Sequence, residues 1–282
     1  MASDLAHKAD ALRALHQPGR PLVLVNVWDV ATARIAEDVG SKAIATTSAG
    51  IAFARGYPDG QKISREEMLE VVARICAAVS VPITADVEAG YGEEPGDTAR
   101  TTDLVLESGA VGMNLEDGTG RAESPLIDAE KHSAKIRAAV AAASRRGVGI
   151  VINARTDVFL ARVGAESCRL DEAVRRGRAY VDAGADCIFV PGVTDRSLIA
   201  ALVERLACPV NVLAAAGSPS AAELARLGVA RISLGSGPMR AAMTLFERTA
   251  REALEAGSWS SLEGITPHGA MNQRMSVSGR AT

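Results

Sequence analysis

A single (β/α)8 TIM barrel with a C-terminal helical extension is the fold class this sequence predicts, on three observations. Short apolar segments alternate with helix-like segments eight times along 282 residues, a normal length for such a barrel. Four helix-to-strand joins share one form, Val39-Gly40-Ser41, Ser108-Gly109-Ala110, Ala183-Gly184-Ala185 and Leu227-Gly228-Val229. Each sets a glycine just past a helix, where a left-handed residue is needed, two or three residues before an apolar strand. The chemistry-bearing residues also gather after the strands: Asp29, Ser48, Asp86, Glu88, Glu116, Asp117, Arg155, Asp157, Asn211 and Ser236. That is the end at which barrels place their sites. An open dinucleotide-binding sheet would want a glycine-rich turn after the first strand, and Val27-Trp28-Asp29-Val30 has none.

The elements follow in order. Leu5, Ala9, Leu12 and Leu15 make one face of a helix over 3–15, which Pro18-Gly19 ends. A strand over 22–27 leads to Asp29, which can cap a helix over about 30–39. A strand over 43–45 leads into Thr46-Thr47-Ser48-Ala49-Gly50, and a long polar, glycine-containing loop follows through Arg55-Gly56-Tyr57-Pro58-Asp59-Gly60. Ser64 and Glu67 form a capping box for a helix to about 79. Strands over 83–86, 111–115, 150–153, 187–190, 210–213 and 231–234 then alternate with helices opened by Asp97 or Thr98, Asp128, Asp171, Ser197, Ser220 and Pro238. Short, doubly buried strands of this kind belong to a parallel sheet. The barrel domain spans 1–257, and 258–282 is an extension with a short helix near 260–263.

Composition excludes several classes of function. A net charge of −3 gives no basic field for nucleic acid or a membrane surface. No apolar run is long enough to span a bilayer, and no signal peptide is visible. Cys76, Cys168, Cys187 and Cys208 have no metal spacing; they read as small buried hydrophobes in a reducing cytoplasm. No lysine stands at a strand end, which disfavours a Schiff-base aldolase. His7, His16, His132 and His268 fall on helices or the tail, which disfavours a zinc hydrolase.

What remains is carboxylates with one arginine. Asp86 and Glu88 stand at i and i+2 just past a short apolar run, and on a strand that spacing puts both side chains on the same face. Two such acids repel unless a cation or proton sits between them, and Mg²⁺ takes one or two carboxylates and leaves its other positions to water and substrate. Asp86 could be a helix-capping acid, but its position favours a metal ligand; Glu116 and Asp117 are ligands or the start of a loop. Arg155 either binds a substrate carboxylate or braces the barrel through Asp157. Asn211 is a core amide or a substrate contact. Gly235-Ser236-Gly237 is a plain turn or a phosphate cradle.

Thr47-Ser48-Ala49-Gly50, Tyr57-Pro58-Asp59-Gly60, Asp86-Val87-Glu88-Ala89-Gly90-Tyr91-Gly92, Leu115-Glu116-Asp117 and Asn153-Ala154-Arg155-Thr156-Asp157 together resemble the isocitrate lyase / phosphoenolpyruvate mutase superfamily over nearly the whole chain. The resemblance implies a Mg²⁺-dependent (or Mn²⁺-dependent) enzyme acting on a small 2-oxo or 2-hydroxy carboxylate through a pyruvate-type enolate. It implies Asp86 as the direct metal ligand, with Asp59, Glu88 and Glu116 acting through water. Asp59, Glu116 and Arg155 would be the catalytic residues. Ser48, Ala49, Gly50, Arg155 and Asn211 would bind substrate. It also implies a helix-swapped homotetramer.

The departures are specific. Glu88 stands where the superfamily usually has Asp, and Thr46 where an aromatic often precedes the serine. The lyases carry a Lys-Lys-Cys-Gly-His or Lys-Arg-Cys-Gly-His loop after the fourth strand, whose cysteine is the proton donor. Here the loop reads Gly118-Thr119-Gly120-Arg121-Ala122-Glu123-Ser124-Pro125. It also lacks the Asn of the phosphonate enzymes, and Pro191 follows the sixth strand where they have a His. The expected function is a lyase or decarboxylase. The alternatives are a phosphonate P–C mutase or hydrolase, and a carboxylate-binding protein without turnover.

Overall fold

The computed structural model describes residues 2–276, so residues 277–282 of the expected extension lie outside the described residues. Nine parallel strand segments form one sheet: β1 (Leu22–Leu24), β2 (Asn26–Val27), β3 (Ile44–Thr46), β4 (Ile83–Asp86), β5 (Gly112–Glu116), β6 (Val151–Arg155), β7 (Cys187–Phe189), β8 (Val210–Leu213) and β9 (Arg231–Ser233). Their order is β1-β9-β8-β7-β6-β5-β4-β3-β2. The two ends of that order are the two halves of the first predicted strand, separated only by Val25. β1 pairs with β9 and β2 with β3, so the sheet closes on itself as a (β/α)8 barrel.

Helices α1 (Ala2–Ala14), α2 (Val30–Asp38), α3 (Ser48–Ala54), α4 (Arg65–Ala78), α5 (Pro95–Glu107), α6 (Ala129–Arg145), α7 (Glu166–Asp182), α8 (Arg196–Leu206), α9 (Ala221–Arg226), α10 (Gly237–Arg251) and α11 (His268–Met275) accompany the strands. Local chemistry fixes their ends. Asp29 accepts from the Thr32 amide at 2.7 Å to start α2, and Asp128 accepts from the Glu130 and Lys131 amides to start α6. The four repeated glycines all sit in the left-handed region, with φ of +95° at Gly40, +92° at Gly109, +107° at Gly184 and +85° at Gly228. The core between helices and barrel is aliphatic, with Leu12, Leu24, Ile44, Met68, Ile75, Leu106 and Met113 buried. The barrel interior also holds a polar layer. Arg231 is fully buried there, donates to Asn114 Oδ1 at 3.2 Å and lies 3.4 Å from His16 Nε2.

Several expectations shift. Residues 48–54 form α3, a helix the sequence reading does not include. Thr47 caps it by accepting from the Gly50 amide at 3.3 Å, and a Cβ on Gly50 would lie 2.5 Å from Thr47 Cγ2. That glycine therefore marks close packing. α7 starts at Glu166 and carries Cys168 in its first turn, exposed. The reading of all four cysteines as buried fails there, because the predicted loop is helix surface. α11 was not expected; it reaches back to α2, where Arg34 donates to the Met275 carbonyl. The sequence from α10 onward keeps large apolar side chains in the open, Phe246 at 75% and Leu254 at 87% exposed, with Trp259 and Ile265 beside them in the chain. Among the described residues no helix is long and apolar enough to cross a membrane.

Gly40 isolates the left-handed requirement, since a Cβ there would meet nothing within 4 Å. Gly40→Ala should cost about 1–2 kcal/mol from backbone conformation alone, lowering Tm by roughly 2–6 °C for a domain of this size. An unchanged Tm in thermal melts would contradict this account of the join.

Candidate active site

The candidate site starts at the end of β4. Asp86 Oδ2 accepts from the Ser48 amide at 3.0 Å and from Ser48 Oγ at 2.9 Å. Ser48 is the first residue of α3, so a helix N-terminus faces this carboxylate with its positive end. The Asp86 amide is held by Thr46 Oγ1 at 2.9 Å. Asp86 Oδ1 is buried and has no partner. An orphaned, buried carboxylate oxygen is costly, and it is the donor a hard cation takes.

Glu88 reaches the same place by a different route from the one expected. β4 ends at Asp86, so strand alternation does not orient Glu88. Instead the backbone turns left-handed at Glu88, with φ +51°, and again at Gly90 and Tyr91. A non-glycine residue in that region costs free energy and persists only where its surroundings over-determine it. Glu88 Oε2 accepts from the Gln61 amide at 2.6 Å, and Oε1 is a second buried oxygen without a partner. Gly92, at φ +150°, has the Asp97 side chain 2.3 Å from where its Cβ would be.

Glu116 and Arg155 end neighbouring strands β5 and β6 in register. Arg155 Nη1 pairs with Glu116 Oε2 at 2.7 Å. Its Nε and Nη2 grip Asp157 at 2.6 and 2.9 Å, and its guanidinium carbon lies 5.8 Å from the centre of the Phe189 ring. The arginine does brace the barrel mouth, and two of its five N–H groups remain beyond these three bonds. Asp59, on the exposed loop before α4, is close enough to Ser48 and Asp86 for both to act on its charge.

Other expected residues fall elsewhere. Asn211 is buried inside β8 and donates to Ser233 Oγ at 3.3 Å, with no hydrogen bond to the carboxylates. Ala49 and Gly50 are buried in the first turn of α3. Asp117 is structural: fully buried, it accepts from Thr156 Oγ1, Arg176, Tyr180 and the Asp157 amide at 2.7–3.0 Å. The turn after β9 is no free phosphate cradle, because Asn26 Oδ1 accepts from the Leu234 and Gly235 amides at 2.8 and 2.9 Å. Gln61, whose amide fixes Glu88, was missed. The only hint was its place after Pro58-Asp59-Gly60.

Five carboxylates, Asp59, Asp86, Glu88, Glu116 and Asp157, thus face one guanidinium. Burial, then the charges of Asp86 and Asp59, pushes Glu88 up to about 8. Burial raises Glu116 well above the usual carboxylate range and Asp157 less strongly, each opposed by Arg155. Burial alone would lower the Arg155 guanidinium, but Glu116 and Asp157 outweigh it and hold it fully charged. Among the described residues no three acidic, cysteine or histidine side chains stand close enough to ligate one ion together. A cation here would take one or two carboxylates directly and fill the rest with water, as Mg²⁺ does. The orphaned oxygens of Asp86 and Glu88 fit that donor set.

Because Glu88 keeps a proton in the native state that the unfolded chain has lost, its contribution to stability is complete below about 4.5 and disappears as pH rises through about 8. In a chelating buffer Tm should therefore fall between pH 5 and 8, and Glu88→Gln should remove part of that slope. A slope identical in the two proteins would rule out Glu88 as its source.

Comparisons with known proteins bear on the family and the fold. Residues 12–254 match the family described as phosphoenolpyruvate phosphomutase. An uncharacterized protein of Mycobacterium tuberculosis is 36% identical over 84% of this chain and 86% of its own length. A 2-methylisocitrate lyase of Escherichia coli is 30% identical over 70% of each chain. An oxaloacetate decarboxylase of Rhodopseudomonas palustris is 30% identical over 90% of this chain and 88% of its own. Among solved structures, a putative lyase/mutase from Burkholderia cenocepacia superposes with a TM-score of 0.90 at 39% identity, covering 98% of both chains. A phosphonopyruvate hydrolase complexed with oxalate and Mg²⁺ superposes at 0.83 with 26% identity, over 95% of this chain and 94% of that one. With its barrel, its motifs and its relatives in agreement, the chain belongs to the phosphoenolpyruvate phosphomutase family, within the isocitrate lyase / phosphoenolpyruvate mutase superfamily of lyases, mutases and hydrolases.

Proposed function

We propose that this protein is a Mg²⁺-dependent decarboxylase of a small 2-oxo diacid such as oxaloacetate. One observation carries the reading. The carboxylate–arginine mouth is intact, yet the loop over 117–127 beside it offers no cysteine, histidine or lysine to act as a proton donor. Retro-aldol cleavage of a hydroxy-tricarboxylate needs a base for the hydroxyl and an acid for the departing carbanion. Decarboxylation needs less. The C3–C4 bond breaks, its electron pair passes into a C2–C3 double bond and the 2-oxo oxygen, CO₂ leaves, and water returns a proton to C3. Bound Mg²⁺ would supply electron withdrawal at the 2-oxo group.

The chain's own residues divide the work. Asp86 Oδ1 would hold the ion directly, with Asp59, Glu88 and Glu116 around its waters. Ser48 would keep Asp86 oriented and stand ready to face the 2-oxo group. Arg155 on the departing carboxylate would anchor charge that has to leave, so the reading sets it against the carboxylate that stays. Cys168, exposed in the first turn of α7, has no part. The relatives named for oxaloacetate decarboxylation, and the neighbour solved with oxalate and Mg²⁺, support the substrate class. The open apolar side chains of α10 and the segment after it support a further proposal, that a second copy of the chain covers them in a homotetramer.

With Mg²⁺ present, oxaloacetate should be turned over at least about tenfold faster than isocitrate or 2-methylisocitrate, ~1.4 kcal/mol in barrier. Asp86→Ala should lower that rate at least about 100-fold while keeping the fold, and Cys168→Ser should leave it unchanged. Cleavage of either hydroxy-tricarboxylate without decarboxylation, or turnover of phosphonopyruvate instead, would replace this reading. Ligand binding with no turnover of any of them would make the protein a binder.

Truncation after Ala256 should reduce the mass in light scattering or cause precipitation. A soluble product retaining the full-length oligomeric state would refute the role given to the extension.

A further inference from the structure

Lys135 is one of five lysines in the chain, and it is fully buried on the inner face of α6. Its Nζ donates to the Ala89 carbonyl at 2.5 Å and to the Gly92 carbonyl at 2.8 Å. Both of these hydrogen bonds go to backbone carbonyls, although a buried ammonium is costly unless well compensated. Burial, with help from Lys131, pushes it down to about 8 against the pull of Asp97, Glu93 and Glu94. A second buried donor works beside it: Thr101 Oγ1 on α5 donates to the Gly90 carbonyl at 2.8 Å. Three carbonyls of one short segment, those of Ala89, Gly90 and Gly92, are thus held from behind by α5 and α6.

That segment begins directly after Glu88, whose left-handed backbone is unfavourable for a glutamate. Strain of this kind survives only where neighbouring contacts leave no alternative. The Gln61 amide fixes the tip of the Glu88 side chain, and Lys135 with Thr101 fixes the backbone on its other side. The ammonium carries three N–H donors, enough to hold both carbonyls at once, and an apolar side chain of that length has none.

We propose that Lys135 is a positioning residue for the metal centre: by tethering Ala89 and Gly92 it holds Glu88 in the conformation that presents its free oxygen to the cation. The proposal rests on the metal-site reading above, and the test separates the two. Mg²⁺ affinity is measured by calorimetry for the full-length wild type, Lys135→Met, Glu88→Gln and the double variant, alongside Tm in chelator. Lys135→Met should weaken Mg²⁺ binding about 10–100-fold, the range for residues that orient ligands from behind. The double variant should bind within about twofold of Glu88→Gln alone, since both changes act through one carboxylate. Losses that multiply, or a Lys135→Met protein with lower Tm and wild-type Mg²⁺ affinity, would overturn the inference and leave the metal site standing. A wild type that binds no Mg²⁺ would overturn both. If Lys135→Met does not fold, Thr101→Val removes the Gly90 tether, along with that hydroxyl's bonds to the Asp97 carbonyl and Arg65, and leaves Lys135 in place. It should weaken binding by about threefold with the same non-additivity toward Glu88→Gln, and wild-type affinity there would equally overturn the proposal.

Discussion

Repulsion among carboxylates at the mouth of the barrel is the constraint around which this structure is arranged. Asp86, Glu88, Glu116, Asp157 and Asp59 crowd a space that holds one guanidinium. Without further positive charge, some of them must keep protons at neutral pH, which is what the raised values of Glu88 and Glu116 express. The surrounding fold spends its polar groups on fixing where each oxygen points. Ser48 takes one oxygen of Asp86, Gln61 one of Glu88, and Arg155 one of Glu116, so that the uncommitted oxygens of Asp86 and Glu88 are left buried without a partner. A site arranged in this way is selective by charge before any substrate enters.

The arginine shows how support and function share one group. Arg155 is locked to Asp157, and the Asp157 amide is locked in turn to Asp117, which Arg176, Tyr180 and Thr156 saturate. This chain runs from the outer helix α7 to the end of β6, so the guanidinium is positioned by the packing of the barrel wall. Paired charges in register on neighbouring strands need no loop to bring them together, which keeps this part of the mouth rigid.

Much of this was legible in the residues. The glycine-terminated helices, the Asp29, Ser64 and Asp128 caps and the strand-end acids are local signals, and each appears where its own chemistry requires. What was hidden depends on tertiary packing. Gly50 carries no helix signal in its sequence, but it lies inside α3, where Thr47 and Trp28 leave no room for a Cβ. Glu88 was placed by strand periodicity, yet its strand had already ended. Lys135 looked like any helical lysine, since nothing in its neighbours along the chain announces that two carbonyls of a distant loop await it. The roles of Asp117 and Asn211, open from sequence alone, divide on partners: both are fully buried, but only Asp117 finds all of its bonds within the wall, while Asn211 Oδ1 has none.

The seam of the barrel carries a consequence for how the chain reaches this state during synthesis. Its first strand supplies both edges of the sheet, β1 waiting for β9 and β2 already beside β3. Asn26 stitches the two sides, donating to the Thr46 carbonyl and accepting from the Leu234 and Gly235 amides. Until Arg231–Ser233 has left the ribosome, the growing sheet has two unpaired edges, β1 and β8, and unpaired edges recruit other strands. The most N-terminal strand is therefore the last to be satisfied, and the nascent chain has to be protected from pairing with its neighbours for nearly the whole of its translation.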